Sequence, residues 1–303
     1  MTPLAAVDAQ TLVDAVGLGA VYALMAVGIG LVFGVLRLVN FAYGQLVMAG
    51  AYTLAFTSGW PTAASIAACF AVVIALSAAM DLAVFRPLRG QSPAVMLVTT
   101  FALAFLLQSI ALIVDVRDDT IGEPATALSS LNEAVALGDV DVRKVTLVAI
   151  AVAGVSLALL ALLLARTSIG LHMRAAAADF RTARLLGVRA DRVIGYAVFL
   201  SAVLAALVAV ILTVRTPLVT PDFALKETIV VLVGVVVGGI DRLWTATLGG
   251  FAIGFATGVI NGALPTDKTV FLPSAVFALV IVVLLLRPEG LFARRGATAV
   301  ERV

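Results

Sequence analysis

Side chains able to do chemistry are few in this 303-residue chain. There is one histidine, His172, and it has no partner acid inside an apolar run. No metal-ligand cluster, no glycine-rich phosphate loop before Lys-Ser/Thr and no Ser-His pairing at membrane depth can be read. No catalytic residue, metal or other cofactor is therefore expected within the chain. The polar side chains left inside apolar segments are amides, a phenol and hydroxyls. They are Asn40, Tyr43 and Gln45 in the first half, and Thr245 and Thr247 in the second. In hydrocarbon such groups either bond to a neighbouring helix or line a wet path, and both uses are open to them here. They are the candidates for a translocation path. Asp14, Arg37, Asp81 and Lys226 fall near the ends of apolar runs, where they can reach the headgroups. Carriers driven by protons or sodium usually hold carboxylates in mid-membrane. Without them, an outside source of energy fits better.

These residues need a scaffold, and composition says which kind. The chain is 62% hydrophobic and 13% charged, with mean hydropathy +1.16. Soluble domains run at about half apolar and a quarter charged. A span needs about 20 apolar residues. Apolar runs cover 15–36, 41–58, 63–80, 94–114, 145–165, 193–214, 228–240, 245–260 and 269–286. The fold class is all-α: a polytopic helical membrane protein of about eight to nine spans, read as one transmembrane domain over 1–303. Runs 41–58 and 228–240 are short and carry or adjoin glycines, so tilted, broken and re-entrant forms are all open to them. Cys69 sits inside an apolar run and reads as a small packing residue. No basic residue precedes Arg37, so a cleavable signal peptide is not expected. Lipid is the surrounding partner, and nucleic acid is not expected to bind.

Charge distribution predicts orientation, because Lys and Arg favour the cytoplasmic side. Arg86 and Arg89, the island 166–192 and the tail with Arg287, Arg294 and Arg295 read as cytoplasmic. The segment 115–144 carries Asp115, Asp118, Asp119, Glu123, Glu133, Asp139 and Asp141 and reads as an external loop. Nine crossings with the N-terminus outside and the C-terminus inside satisfy every loop. Trp60 and Trp244, at run ends, suit an aromatic belt. Asp241-Arg242 reads as an interfacial ion pair.

The island holds Arg166, Arg174, Arg181, Arg184, Arg189 and Arg192 against only Asp179 and Asp191. Residues 173–186 are rich in Ala, Arg and Leu, which predicts a short helix stopped by Gly187. Its arginines do not share one face, unlike a lipid-binding amphipathic helix. Leu185 and Leu186 beside Arg181 and Arg184 offer an apolar knob ringed by charge, closer to a protein-docking surface. The two halves of the chain also echo each other. Residues 34–50 and 234–250 are both apolar segments broken by polar and small residues, which allows an inverted repeat of two halves. Simple close-packed turns would read the same way. Gly249, Gly250, Gly254 and Gly258 follow a spacing that lets helices approach closely.

Residues 170–192 resemble the coupling loop of branched-chain amino-acid ABC transporter permeases, with Gly170, Arg174, Ala175, Asp179, Ala183, Gly187, Val188 and Arg192 in register. Residues 34–45 resemble a second motif of that family through Asn40, Ala42, Tyr43 and Gly44. A third, 238–250, matches through Gly238, Gly239, Gly249 and Gly250, with Asp241-Arg242 and Thr245 departing from it. The resemblance implies an inner-membrane permease subunit of an ABC importer for branched-chain or related amino acids. Implied partners are a second permease subunit (a different chain or a copy), two cytoplasmic ATPase subunits holding ATP-Mg, and a periplasmic or lipid-anchored binding protein. It implies an ATPase-coupling loop of Arg174, Asp179, Arg181, Ala183, Arg184, Leu185, Leu186, Gly187 and Arg192, and packing roles for Gly44, Gly238, Gly239, Gly249 and Gly250. The competing expectations are a secondary transporter or channel for small solutes working without an ATPase, and a membrane scaffold.

Overall fold

Fourteen residues of α-helix rise about 21 Å, well short of the ~30 Å hydrocarbon core. That length separates the helices of this chain into two kinds. The computed structural model describes residues 9–36, 40–88, 91–115, 122–126, 128–137, 140–239 and 242–287. Arg37, Arg89, Asp118, Asp119, Asp139, Asp241, Arg294 and Arg295 lie outside the described residues, as do the side chains of Asp141, Arg181 and Arg184.

The long helices are α1 (Ala9–Leu36), α3 (Thr62–Met80), α4 (Pro93–Asp115), α5 (Lys144–Arg166), α8 (Ala190–Arg215) and α10 (Leu243–Ala263). The last helix, α11 (Leu272–Leu286), is extended at its start by a 3-10 turn, Thr266–Phe271. α3 continues through a π-helical turn, Asp81–Phe85, so that its continuous span reaches Leu88. Seven helices are thus long and apolar enough to cross a membrane. The protein is a polytopic helical membrane protein. Two helices have only 14 residues, α2 (Tyr43–Phe56) and α9 (Leu225–Gly238). They fall in the two runs whose length was marginal in the sequence. Between α5 and α8 come two short helices, α6 (Ser168–Ala178) and α7 (Phe180–Leu185).

α1 is the centre of the bundle. Of its most apolar window 83% is buried, against 17% for α4 and α5. Hydrocarbon supplies no hydrophobic drive between helices, so contact between small residues decides which faces meet. α10 offers α1 a glycine stripe. A β-carbon on Gly250 would lie 2.8 Å from the Tyr22 carbonyl oxygen, on Gly254 2.8 Å from Gly19 Cα, on Gly258 2.5 Å from Ala15 Cα and on Gly262 2.3 Å from Thr11 Cγ2. Successive contacts step four residues forward on α10 and about four back on α1, so the two helices run antiparallel along their length. α8 lies on another side of α1, where Ser201 Oγ donates to the Gly28 carbonyl at 2.7 Å.

The acidic segment between α4 and α5 holds no α-helix where described, only a 3-10 turn at Ser129–Asn132. Two small antiparallel ladders form there: β1 (Glu123–Pro124) with β4 (Leu218–Val219), and the hairpin β2 (Ala134–Leu137) with β3 (Val140–Arg143). Lys144 closes the hairpin by an ion pair with Glu133, and this neighbouring ammonium holds the Glu133 carboxyl below its ordinary range. Thr146 Oγ1 donates to Asp14 at 3.4 Å, so α1 begins at this acidic-loop end of the bundle. It finishes at the opposite, basic-loop end.

Candidate functional site

α2 does not begin where α1 finishes. The Tyr43 hydroxyl lies where a β-carbon on Gly28 would be, 2.3 Å from it. Gly28 stands eight residues before the end of α1, about 12 Å inward. Residues 40–42 therefore belong to a non-helical return into the bundle interior, shaped by Asn40. Its Oδ1 accepts from the Ala42 N–H at 3.0 Å and its carbonyl from Tyr43 N–H at 3.3 Å. From there α2 runs outward to the ladder of β1 and β4 at the acidic-loop end.

α9 does the reverse. The chain leaves β4, turns at residues 221–224 and begins α9 beside the start of α2. A β-carbon on Gly44 would lie 2.5 Å from Thr228 Oγ1 and 3.1 Å from the Ala224 carbonyl. α9 then runs to the basic-loop end, where Gly238 lies against the backbone of Thr245. The two half-length helices thus meet start to start inside the bundle and leave in opposite directions. Each start directs the positive end of a helix dipole into that meeting point, although the Tyr43, Gln45 and Leu225 N–H groups bond back to the Asn40, Ala42 and Asp222 carbonyls. Neither N-cap residue, Ala42 or Ala224, supplies a side-chain cap. Ala224 holds φ +62°, a left-handed conformation that costs a non-glycine residue on the order of 1 kcal/mol or more. Ala224 is the only non-glycine residue with positive φ among the described residues.

Orphaned polar atoms mark the same region. Tyr43 and Gln45 are fully buried, and the Tyr43 hydroxyl and both polar atoms of the Gln45 carboxamide have no hydrogen-bond partner. A buried unsatisfied polar group costs about 1–3 kcal/mol. These two residues flank Gly44, at the point where the half-helices touch.

Thr245 and Thr247 are elsewhere. Thr245 Oγ1 donates to the Gly239 carbonyl at 2.7 Å and lies 2.8 Å from that of Arg242, pinning the turn between α9 and α10. Thr247 Oγ1 donates to the Leu243 carbonyl of its own helix. Asn40, Tyr43 and Gln45 are therefore not gathered with the two threonines. The partner of the first motif is Thr228, a residue the sequence did not single out. The echo between 34–50 and 234–250 is likewise out of step with the fold. The first stretch holds the start of one half-helix, the second the end of the other. What corresponds is α2 with α9.

The glycines of the turn between α9 and α10 are packed to backbone contact. A β-carbon on Gly249 would lie 2.2 Å from the Gly234 carbonyl and one on Gly238 2.3 Å from that of Thr245, while Gly239 has φ +100°. Cys69 packs against Gly50, whose β-carbon would lie 3.1 Å from its sulfur.

The basic island folds as two helices, not as the single helix expected over 173–186. Asp179 takes an extended conformation, φ −152° and ψ 103°, and ends α6. It then caps α7: its Oδ1 accepts from the Thr182 N–H at 3.1 Å, and the Thr182 hydroxyl donates to Oδ2. An Asx cap competes with helix continuation, and here it wins. Gly187, at φ +88°, ends α7, and the Val188 N–H reaches back to the Ala183 carbonyl at 3.0 Å as in a Schellman motif. Ala183 is buried, whereas Leu185 and Leu186 are 84% and 81% exposed. Arg174 joins Gly30, Gly34, Met173, Arg242 and Trp244 around a cavity of about 350 Å³ where α1, α6 and α10 come together. Arg192 lines a separate cavity with Arg86, Asp191 and Tyr196. His172 is exposed.

Residues 11–286 match the family model described as branched-chain amino acid transport system / permease component. The chain is 28% identical over 302 residues to the high-affinity branched-chain amino acid transport system permease protein BraD of Pseudomonas aeruginosa, covering 94% of this chain and 95% of that protein. LivH of Escherichia coli K12, a permease protein of the same description, is equally similar over the same coverage. No solved structure matches the chain.

Proposed function

This chain belongs to the family of branched-chain amino acid transport permease components, and we propose that it is the membrane-spanning subunit of an ABC importer in a bacterial inner membrane. In this reading it carries branched-chain or related amino acids by alternating access, and ATP is hydrolysed on partner subunits. The N-terminus and the acidic loop face outward. The C-terminus and the α6–α7 loop face the cytoplasm, where the loop docks on an ATPase. A second permease subunit and an external binding protein complete the importer.

The observation that carries this reading is the exposure of Leu185 and Leu186 at the tip of a capped, glycine-stopped helix. Burying a leucine is worth about 1.5–3 kcal/mol, so the pair is a source of docking energy that the chain alone leaves unused. α7 packs chiefly on α6, and the Arg174 cavity joins α6 to the ends of α1 and α10. A push on α7 therefore has a rigid route to the helices that adjoin both half-helices. Rocking of one helix group against another about the meeting of α2 and α9 would open the path alternately to either side.

The test is the double substitution Leu185→Ser with Leu186→Ser, read by uptake, membrane level and co-purification of the ATPase. The expected result is at least a tenfold loss of uptake and loss of the ATPase, with membrane level unchanged. Normal uptake would refute the docking role. Gradient-driven amino-acid flux through the purified chain alone would favour a secondary transporter or channel instead.

A further inference from the structure

The cavity of about 350 Å³ where α1, α6 and α10 come together has two chemically distinct parts. It sits at the level where three spans finish: α1 ends at Leu36, α5 ends at Arg166 and α10 begins at Leu243. Its walls are apolar and come from those spans, with Leu31 and Val35 of α1, Leu164 of α5 and Leu243 of α10. Leu31 and Val35 are buried, so the walls reach from the rim into the bundle. Its size falls within the roughly 300–1,000 Å³ of sites that hold small organic molecules.

The rim is cationic. Arg174 of α6 and Arg242, the residue before α10, both line the cavity. Among the described residues neither guanidinium forms an ion pair or a hydrogen bond, and no carboxylate lines the cavity. Arg242 is also the N-cap of α10 and supplies no side-chain cap, so the positive end of that helix dipole lies beside both charges. Trp244, 71% exposed, completes the rim at the depth where aromatic side chains meet lipid headgroups. Arginines at the end of a span need no ligand, because they can reach water. These two differ in coming from separate segments to one cavity whose walls suit hydrocarbon. A ligand that satisfies both parts has an anionic head and an apolar tail.

We propose that this cavity is a binding site for an anionic phospholipid. Arg174 and Arg242 hold its phosphate, since guanidinium groups match phosphate oxygens in geometry as well as charge. The upper part of an acyl chain lies along Leu31, Val35, Leu164 and Leu243. Basic pockets between spans bind anionic headgroups in this manner. A zwitterionic lipid fits less well, because its ammonium finds no carboxylate on the described lining. A lipid seated there bridges α6 to the ends of α1 and α10, and so ties the basic loop to the spans. The site needs only the placement of the chain in a membrane and does not rest on the importer reading.

The test uses the full chain carrying Trp60→Phe, which leaves Trp244 as its one tryptophan. The protein is placed in phosphatidylcholine bilayers, and phosphatidylglycerol or phosphatidylcholine brominated high on the acyl chain is titrated in. Bromine quenches a tryptophan it touches, so Trp244 fluorescence reads occupancy of the cavity. Phosphatidylglycerol is expected to reach half-quenching at a mole fraction at least threefold lower than phosphatidylcholine. Arg174→Gln with Arg242→Gln should abolish that preference, and the two lysine substitutions should keep part of it. Gly34 lines the cavity, and no atom lies within 4 Å of where its β-carbon would stand. Gly34→Leu therefore fills the space while keeping both charges, and it too should abolish the preference. If the double glutamine variant fails to fold, Gly34→Leu decides alone. Equal quenching by the two lipids before any cavity substitution would overturn the proposal. A preference that survives Gly34→Leu would do the same, since it would show attraction to the surface at large. Relief of quenching by inorganic phosphate would identify a soluble phosphate as the ligand in place of a lipid. An unchanged lipid preference in the double glutamine variant, with loss of ATPase co-purification, would assign the cavity to a protein partner.

Discussion

A β-carbon on Gly44 would stand 2.5 Å from the Thr228 hydroxyl oxygen, so the two half-length helices touch where both begin. The contact joins positions 184 residues apart in sequence. Thr228 Oγ1 is itself held at 2.6 Å from the Ala224 carbonyl, which leaves it little freedom to retreat.

Gly44→Val should therefore force α2 and α9 apart. Overpacking of this kind costs about 1–3 kcal/mol. The expected outcome is a lower melting temperature in detergent and at least a tenfold loss of uptake. Thr228→Ala in the same background should restore part of both, because it removes the hydroxyl that a valine would strike.

Glycines with and without neighbours should behave oppositely. Gly249→Ala places its methyl 2.2 Å from the Gly234 carbonyl oxygen and should lower folded yield and thermal stability. At Gly154, in α5, no atom lies within 4 Å of where a methyl would stand. Gly154→Ala should be neutral or stabilising by up to about 1 kcal/mol, since alanine has the higher helix propensity. Equal effects from the two would contradict the packing described.

Gly187 stops α7 at φ +88°. Nothing lies near enough to strike a side chain there, so backbone conformation alone decides the outcome. Gly187→Val should disrupt the loop and reduce uptake strongly. Gly187→Asn should retain a measurable part of it, because asparagine tolerates the left-handed region. Membrane level should be the same for both.

Asp179 separates and caps the loop helices. Asp179→Ala should cost about 1 kcal/mol of local helix stability, a typical loss for a cap. It should also raise protease susceptibility of the 173–190 segment and lower uptake, while Asp179→Asn preserves most of both. Full resistance in the alanine variant would show that the cap is not what holds α7.

Thr245 tests the turn between α9 and α10. Thr245→Val removes the hydroxyl that lies within hydrogen-bonding distance of two carbonyls and should destabilise by about 1 kcal/mol. Thr245→Ser should be close to wild type. A valine variant with normal stability but altered substrate preference would return Thr245 to the translocation path.

Much of this was legible in the one-dimensional pattern. The class follows from apolar runs of membrane length, because lipid demands that each segment satisfy its own backbone. The two short helices stood out by length, and the end of α7 by Gly187. Asn40, Tyr43 and Gln45 were visible as polar residues in an apolar run, and the glycines of α10 by their spacing. What hydropathy cannot register is which distant segment comes to lie beside each of these. Thr228 looks like one more hydroxyl until α9 is set against Gly44. Thr245 looks available until the turn brings two carbonyls to it. Asp179 reads as part of one continuous helix because its side chain's competition with the backbone is settled by local geometry. Partition into lipid sums over a segment and is therefore written in the sequence. The meeting of two helix starts depends on how separate helices cross, and only the folded bundle decides it.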